Sequence, residues 1–284
     1  MEVDILKSFL REQNIYKYYL KQLWKHKGDW HYIYFNLMCR IYPLFFNHKI
    51  NSKPVWQKEW DILLLLDACR YDFFKKLNFI DGKLLPVFSP ASDTVNWLKK
   101  TFGKYRVYTR FTRIFSTTPY INKAGISKYG FNPRIYSKDI IDLWKLYWDD
   151  GLKTVHPQSV VDAVKKYGLR KRNIIWFMQP HMPYIGDVKI ISPAAGFRNS
   201  EEYLLYLLRN RKITLNYWIK AYESNLKLVL EYVDDLINYI KRLSRYVIIV
   251  TADHGELLGE YGLYFHHHRY YLPQLRIVPY LIAK

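Results

Sequence analysis

Four short apolar runs, with a long helical pattern between the last two of them, constrain the fold of this chain more than any other feature. The run Ile62–Leu66 is continuous, as in a strand that is buried on both faces. Residues 246–250 form a second strong run, and residues 105–109 and 173–178 form weaker ones. Apolar residues then recur with a 3.6-residue period across residues 222–243, which predicts an amphipathic helix. Strands that alternate with helices predict an α/β fold with a mostly parallel sheet flanked by helices.

The bulk composition predicts a globular protein that interacts with anions. Half of the 284 residues are hydrophobic, which suffices for a sizeable core, and the formal net charge is +19. That charge favours phosphate or sulfate esters, a lipid surface or nucleic acid, but no nucleic-acid recognition motif accompanies it, so nucleic acid is an unlikely partner. Cys39 and Cys69 are too few for a disulfide framework. With no secretory leader pattern, a cytoplasmic location is expected.

The sequence is predicted to divide into an N-terminal extension, residues 1–55, and one α/β domain, residues 56–284. The polar segment 47–58 marks the boundary. In the extension, a helical stripe from Leu6 to Trp24 lies among lysines, which predicts either a helix packed on the domain or an interfacial helix on an anionic membrane. We favour packing, with peripheral membrane contact as the alternative. The apolar stretch 30–46 contains His31, Arg40 and Pro43, so no transmembrane helix is predicted.

Chemically active residues follow three of the apolar runs. Asp67 follows the first run, His181 the third, and Asp253 and His254 the last, with a histidine run at 266–268 nearby. Ligands bind beyond the carboxyl ends of strands in such sheets. Taken singly, Asp67 can be a helix N-cap and each histidine a loop residue. Taken together, carboxylates and imidazoles at adjacent strand ends form the ligand set that divalent zinc or manganese prefers.

Four segments also carry a family resemblance. "LLLLDACRYD", "MQPHMPYIG", "TADHGELLGEYG" and "LRIVPYLI", in this order, resemble the alkaline phosphatase/sulfatase superfamily, especially its archaeal sulfatase-like hydrolases. The resemblance extends from about residue 57 to the C-terminus. It implies an alkaline-phosphatase-like three-layer sandwich. It also implies that Asp253 and His254 bind a catalytic metal together with Asp67, the aspartate that ends the first strand.

The resemblance further implies a nucleophile at a helix N-terminus beside the metal. The matching segment is residues 88–97, where Thr94 is the candidate nucleophile and a further metal ligand, and Ser92 is the alternative. A hydroxyl is a weak nucleophile unless a cation favours its deprotonated form, and a helix N-terminus favours the transferred anion. The purely structural alternative makes Ser92 part of a turn and Thr94 the N-cap of the helix.

The sequence is compatible with either one or two metal ions. Two-zinc members of the superfamily use a further aspartate and two histidines. His181 and His267 match the histidines, but no accompanying aspartate is evident. With a single ion, His181 and one residue of 266–268 would contact the anionic oxygens of the substrate or protonate the leaving group. Arg70 can do likewise or pair with Asp72.

One departure from the family narrows the chemistry. The chain lacks the Cys-x-Pro-Ser-Arg motif of true sulfatases, so Cys69 is interpreted as a buried packing residue. The predicted function is a metal-dependent hydrolase or transferase acting on phosphate mono- or diesters, with sulfate esters less favoured. The expected substrate is an anionic ester, a phosphorylated or sulfated lipid or glycan. The alternative is a catalytically inactive, metal-containing binding protein on an anionic lipid or glycan surface.

Overall fold

The computed structural model describes residues 59–104, 111–122, 132, 137–193, 200–266 and 272–284. The predicted N-terminal extension and the predicted strand at 105–109 lie outside these ranges. The strands are β1 Ile62–Leu66, β2 Gly82–Phe88, β3 Thr112–Ser116, β4 Asp139–Asp142, β5 Trp148–Asp149, β6 Thr154–Val155, β7 Arg172–Phe177, β8 Ile248–Thr251, β9 Leu257–Leu258, β10 Tyr264–Phe265 and β11 Ile277–Ala283. The α-helices are α1 Tyr71–Leu77, α2 Thr94–Lys104, α3 Leu143–Leu146, α4 Pro157–Tyr167, α5 Ser200–Arg209, α6 Leu215–Leu243 and α7 Pro273–Arg276.

Seven strands form one mixed sheet in the order β2-β11-β8-β1-β7-β3-β4. Strand β1 lies in the middle and pairs in parallel with β7 and β8. Only β11 among these seven runs the other way, because it pairs antiparallel with both β2 and β8. A mostly parallel sheet requires helical crossovers, and these cover its faces. The predicted fold class is therefore confirmed.

The central strand β1 contributes to the hydrophobic cores on both faces of the sheet, because successive side chains point to opposite faces. Ile62, Leu64 and Leu66 pack in the core that contains Phe74 of α1, the buried valines of α4 and the buried apolar residues of α6 from Leu226 onwards. Leu63 and Leu65 pack in the other core, against the buried residues of α2. All five are fully buried. The continuous apolar run thus reflects a strand covered by helices on both sides, and the structure has three layers.

Helix α6 is the longest element, and it begins seven residues before the predicted pattern. Thr214 caps it, since its side chain accepts a hydrogen bond of 3.1 Å from the backbone N–H of Tyr217. Trp218 and Ala221 are buried in its early turns. The opposite face of the helix carries charged residues, and within the described ranges no helix is both long and apolar enough to span a membrane.

Candidate functional site

The first candidate group lies at the carboxyl ends of β1 and β8, which are neighbours in the sheet. Asp67 follows β1 directly, and Asp253 and His254 come two and three residues after Thr251, the end of β8. Parallel pairing in register sets Leu65 beside Thr251 and so brings these chain ends together. One ligand atom from each of the three residues lies within 4.8 Å of the others. All three side chains are buried.

Hydrogen bonds orient both carboxylates of this group. One oxygen of Asp253, Oδ1, accepts the backbone N–H groups of Ala68 (3.2 Å) and His254 (2.9 Å). One oxygen of Asp67, Oδ2, accepts the indole N–H of Trp176 at 3.2 Å. The other oxygens, Asp253 Oδ2 and Asp67 Oδ1, lie 3.4 and 3.8 Å from His254 Nε2. Each carboxylate therefore has one oxygen fixed by the protein and one facing a common centre.

The hydroxyl of Thr94 reaches the same centre from the first residue of α2. Its Oγ1 donates to Asp253 Oδ2 at 2.8 Å and lies 3.1 Å from His254 Nε2. The helix is capped by the preceding residue, Asp93, whose Oδ1 accepts the backbone N–H of Asn96 at 3.0 Å. Thr94 is thus not needed as an N-cap. The alternative candidate, Ser92, is also buried, but Thr94 makes the contacts with the carboxylate and the imidazole.

The donor chemistry of this group fits a cation. The Nδ1 of His254 lies 2.8 Å from the carbonyl of Gly255, which only accepts, so Nδ1 carries the proton and Nε2 presents a lone pair. The Thr94 hydroxyl has a single proton, which it donates in the hydrogen bond to Asp253 Oδ2. Lone pairs of His254 Nε2, Thr94 Oγ1 and the facing carboxylate oxygens thus converge on one centre. An imidazole with carboxylate and hydroxyl oxygens suits zinc or manganese.

Burying the ionised carboxylates of this group costs free energy unless a positive charge compensates them. Burial, and then the charge of Asp253, raises the pKa of Asp67 well above its usual value. Burial raises the pKa of Asp253 to about 6, although hydrogen bonds from Thr94 and Ala68 oppose the shift. Burial, and then the charge of His266, lowers the pKa of His254 to about 3. A divalent cation would relieve the repulsion between the carboxylates and would be bound by the neutral imidazole.

A second group of possible ligands lies beside the first. It consists of His181, Glu256 and His266, again with one ligand atom of each within 4.8 Å of the others. His266 Nδ1 is 3.0 Å from Glu256 Oε1. The centroid of its ring is 5.2 Å from that of His181 and 4.3 Å from that of His254. The two groups therefore form one continuous polar site.

The sequence predicted only part of this second group. It placed His181 with one histidine of 266–268, and the structure brings His266 to that position, while His267 lies outside the described residues. The carboxylate of this group is Glu256, whereas the resemblance implies an aspartate. The signal for Glu256 was its place two residues after His254 in the Asp-His-Gly-Glu element.

The second group is held by an ion pair. Burial alone would lower the pKa of His266, but the charge of Glu256 and its hydrogen bond raise that pKa to about 10. Burial alone would raise the pKa of Glu256, but His266 outweighs it and lowers the value. Burial, and then the charge of His266, lowers the pKa of His181. This group therefore already contains the positive charge that the first group lacks.

Two buried polar side chains of α6 hold the loops that carry these ligands. Asn225 Nδ2 donates to the carbonyl of His181 at 3.1 Å, and its Oδ1 accepts the backbone N–H of Ile185 at 3.0 Å. The hydroxyl of Tyr222 donates to the carbonyl of Ala68, next to Asp67, at 2.8 Å. The helical period predicted both positions as part of a buried face. It gave no sign that they would position the site.

The glycine of the Asp-His-Gly-Glu element is required by a close approach of two backbones. A Cβ on Gly255 would lie 2.0 Å from the carbonyl oxygen of Gln274. The backbone N–H of Gly255 donates to the carbonyl of Leu275 at 2.9 Å. Any larger residue would push apart the segment that carries the ligands and the chain before β11.

Two other residues near Asp67 have structural roles. Arg70 Nη2 and Nε bond to Asp72 at 2.7 and 3.0 Å, and its Nη1 pairs with Glu260. Burial opposes the charge of Arg70, but these acids outweigh it and raise the pKa. Arg70 therefore pairs with local carboxylates, the second of the two roles expected for it. Cys69 is fully buried, and burial raises the pKa of its thiol. Asp67, by contrast, is not a helix N-cap, because Arg70 precedes α1.

Comparisons with known proteins find similarity in three-dimensional structure and not in sequence. No protein-family profile matches the sequence, and no curated protein matches it. The C-terminal periplasmic domain of EcEptC from Escherichia coli, in complex with zinc, is 10% identical over 83% of this chain and 76% of that chain, with a TM-score of 0.51.

Two further structures are similar. The soluble domain of lipooligosaccharide phosphoethanolamine transferase A from Neisseria meningitidis is 15% identical over 78% of this chain and 75% of that one, with a TM-score of 0.49. Phosphonate monoester hydrolase of Agrobacterium radiobacter is 11% identical over 78% and 68%, with a TM-score of 0.47. The fold that the chain shares with the zinc-bound EcEptC domain is the alkaline-phosphatase-like fold that the sequence motifs implied.

Proposed function

We propose that this protein is a metal-dependent phosphoester hydrolase or phosphotransferase in which Thr94 is the nucleophile. One observation carries the proposal. The hydroxyl of Thr94 contacts both Asp253 Oδ2 and His254 Nε2 at the carboxyl edge of the sheet. A buried threonine that serves only for packing has no need of a buried carboxylate and an imidazole converging on its oxygen.

The proposed reaction proceeds in two displacements. Thr94 Oγ attacks the phosphorus of a phosphate ester, a new O–P bond forms, and the bond from phosphorus to the leaving oxygen breaks. The hydroxyl proton leaves Thr94 along its hydrogen bond to Asp253 Oδ2 and is passed on to the leaving oxygen, which departs as the alcohol. Water or an acceptor alcohol then attacks the phosphothreonine, the bond from phosphorus to Thr94 Oγ1 breaks, and the proton of the attacking hydroxyl restores the hydroxyl of Thr94. The N-terminus of α2 lies at the reacting residue, and its dipole favours the transferred anion.

Asp67, Asp253, His254 and Thr94 would hold a zinc or manganese ion. When bound, the ion supplies positive charge that favours the deprotonated Thr94 hydroxyl and offsets the charge of the ester. The protein's own contribution is to fix the ligands before the substrate arrives. The hydrogen bonds from Ala68 and Trp176 do this by locking the two carboxylates.

The second group, His181, Glu256 and His266, is proposed to contact the rest of the ester or to hold a second ion. Imidazole N–H groups there can donate to the non-bridging oxygens or to the leaving oxygen. The sequence lacks the sulfatase cysteine motif, which favours phosphate mono- and diesters over sulfate esters. A phosphorylated lipid or glycan is the proposed substrate class.

An activity screen on the metal-analysed protein tests this proposal. The chain, stripped and then reloaded with zinc or manganese, is assayed with p-nitrophenyl phosphate, bis-p-nitrophenyl phosphate and p-nitrophenyl sulfate. We expect turnover of a phosphate ester that depends on the added metal. It should fall by a factor of about a thousand or more in Thr94→Ala, since removing a nucleophile removes the covalent route.

A matched Thr101→Ala variant, which removes a buried hydroxyl from the same helix, controls for packing and should keep its activity. Full activity in Thr94→Ala would overturn the role of the nucleophile. Turnover of the sulfate ester alone would overturn the substrate class. A protein that turns over none of these esters, with or without bound metal, would support a binding role instead.

A further inference from the structure

The edge of the sheet opposite the candidate site carries a band of exposed basic side chains. Strands β1, β7 and β8 start at this edge, and helices α4 and α6 end there. We call the exposed lysines and arginines at these turns and strand starts the basic edge. They are Lys83, Lys138, Lys165, Lys166, Arg170, Lys171, Lys241, Arg242, Arg245 and Lys284.

Acidic side chains do not balance this charge. The acids at the same turns are Glu59, Asp61, Asp81 and Asp139. Asp61 is occupied by the backbone N–H of Val247 at 2.8 Å. Asp139 pairs with Arg113 and with Arg170. The basic edge therefore presents a strong excess of positive charge, on the side of the sheet away from the carboxylates of the candidate site.

Large exposed apolar side chains also lie at this edge. They lie at the turns of the same edge, and their exposed fractions are 59% for Phe79, 79% for Phe111, 38% for Tyr167, 53% for Leu243 and 44% for Val247. Single exposed apolar residues are common on protein surfaces. Here, however, five of them lie at helix ends and in turns of the same edge as the basic residues, and Tyr167 and Leu243 directly follow Lys166 and Arg242 in the sequence. Apolar and aromatic groups that lie among cations suit the interface of an anionic membrane.

We propose that the basic edge docks on an anionic phospholipid surface. Charge complementarity selects an anionic partner, and the projecting apolar side chains select a bilayer over nucleic acid, which offers no hydrocarbon to receive Leu243 or Val247. The sequence that precedes Glu59 has the same sign of charge, since residues 1–58 contain ten lysines and arginines and four acids.

This docking places the candidate site on the side away from the bilayer. Asp67, Asp253 and His254 lie at the far ends of the strands that begin at the basic edge. The surface would therefore determine where the protein is held, and it would leave the reacting groups accessible to an ester outside the docked leaflet, such as the phosphorylated glycan of the proposed substrate class. The inference rests on the charge and exposure of the edge and is independent of the proposed activity.

Vesicle sedimentation of the full chain tests the docking surface. The edge variant combines Lys165→Gln, Lys166→Gln, Lys171→Gln, Lys241→Gln and Arg242→Gln. The matched control replaces the same number of exposed bases near α5 and the start of α6: Lys189→Gln, Arg209→Gln, Arg211→Gln, Lys212→Gln and Lys220→Gln. The probes are vesicles of phosphatidylcholine alone and of phosphatidylcholine with phosphatidylserine.

We expect the wild-type chain to bind the vesicles that contain phosphatidylserine and not the neutral ones. The edge variant should bind them at least about tenfold more weakly, since bases near an anionic leaflet contribute to binding and the effect is screened by salt. The control variant should bind as the wild type does. Phe79→Ser with Phe111→Ser should remove the part of the binding that survives high salt.

Several results would overturn the docking surface. These are equal weakening in the edge and control variants, unchanged binding in the edge variant, no binding by the wild type, or tighter binding to duplex DNA than to the vesicles. Turnover of a soluble phosphate ester is measured in parallel and should not change in the edge variant. Loss of docking with intact turnover, or the reverse, separates this inference from the proposed function.

Discussion

The two ligand groups of the site are adjacent, yet they are built differently. Asp67, Asp253 and His254 follow two neighbouring buried strands and are all fully enclosed. His181, Glu256 and His266 come from loops, and two of the three are only partly buried. The first group has raised carboxylate pKa values and a neutral imidazole, whereas the second contains an ion pair.

From this difference we infer that the two groups have different functions. The first group is rigid and lacks positive charge, which suits the permanent binding of a cation. The second has its own positive charge and lies nearer the surface, which suits contact with a substrate that enters and leaves. Variants in the two groups should therefore have different effects, the first on metal binding and turnover together, and the second mainly on turnover.

The largest effect is expected from Asp253→Asn. Asn keeps the size of the side chain but removes its negative charge from the proposed ion. Metal affinity should fall about tenfold or more, and turnover should fall by a factor of about a thousand or more, because the variant weakens the ion and removes the charge beside Thr94. Metal content after dialysis and titration with a metal-sensitive dye measure the first, and the ester assay measures the second. Unchanged affinity and stoichiometry would remove the first group as the metal site.

A smaller effect is expected from Glu256→Gln. The variant breaks the ion pair with His266 but leaves the first group in place. Turnover should fall by about a hundredfold, as for the loss of a group that assists proton transfer, while tightly bound metal is retained. Asp72→Asn, which removes a carboxylate paired with Arg70 outside both groups, is the control. If Glu256→Gln also emptied the first metal site, the division between the groups would be wrong.

The pH dependence of stability should also separate the groups in the metal-free protein. The pKa of Asp253 is raised from 3.8 to about 6, so between these values the folded chain keeps a proton that the unfolded chain releases. This contribution to the free energy of unfolding is present below about pH 4 and is lost as pH rises through 6. Denaturant titrations of the wild type and Asp253→Asn should diverge in this window, with the wild type losing stability.

Added divalent metal should suppress that divergence, because the cation favours the ionised carboxylate. A difference that ran the other way, with the wild type gaining stability towards pH 6, would contradict the assigned environment of Asp253.

The smallest effect is expected from Cys69→Ala. The thiol is buried and lies 3.8 Å from the carbonyl of Arg70, so its loss should cost about 1 kcal/mol of stability through packing. Turnover and metal content should stay at wild-type levels. A variant that lost activity without losing stability would give Cys69 a chemical role.

The same comparison explains what could be predicted from the sequence. The fold and the first group followed from apolar runs whose next residues are acids and imidazoles, because parallel strands deliver their carboxyl ends to one edge. Thr94 was predicted from the resemblance and the helical pattern after it. The roles of Asn225 and Tyr222 were missed, since a buried polar residue on a helix carries no periodic signal that distinguishes it from the core.

The second group is harder to predict from the sequence, because its residues lie on loops and not at the ends of paired strands. His266 was one of three adjacent histidines, and backbone geometry that the sequence does not show decides which one faces His181. Glu256 is not predicted, because the resemblance implies an aspartate as the further carboxylate. The division into an extension and a domain stays a prediction, as do the packing of residues 1–55 and the cytoplasmic location.

The most direct test of the central claim is to trap the covalent intermediate. The metal-loaded protein is mixed with a phosphate ester, quenched in acid, digested and analysed by mass spectrometry. We predict a phosphoryl group on Thr94, within residues 85–99, that forms only with metal and is absent from Asp253→Asn. An adduct on Ser92, Cys69 or a histidine, or rapid turnover with no adduct under conditions that slow the second displacement, would contradict the account.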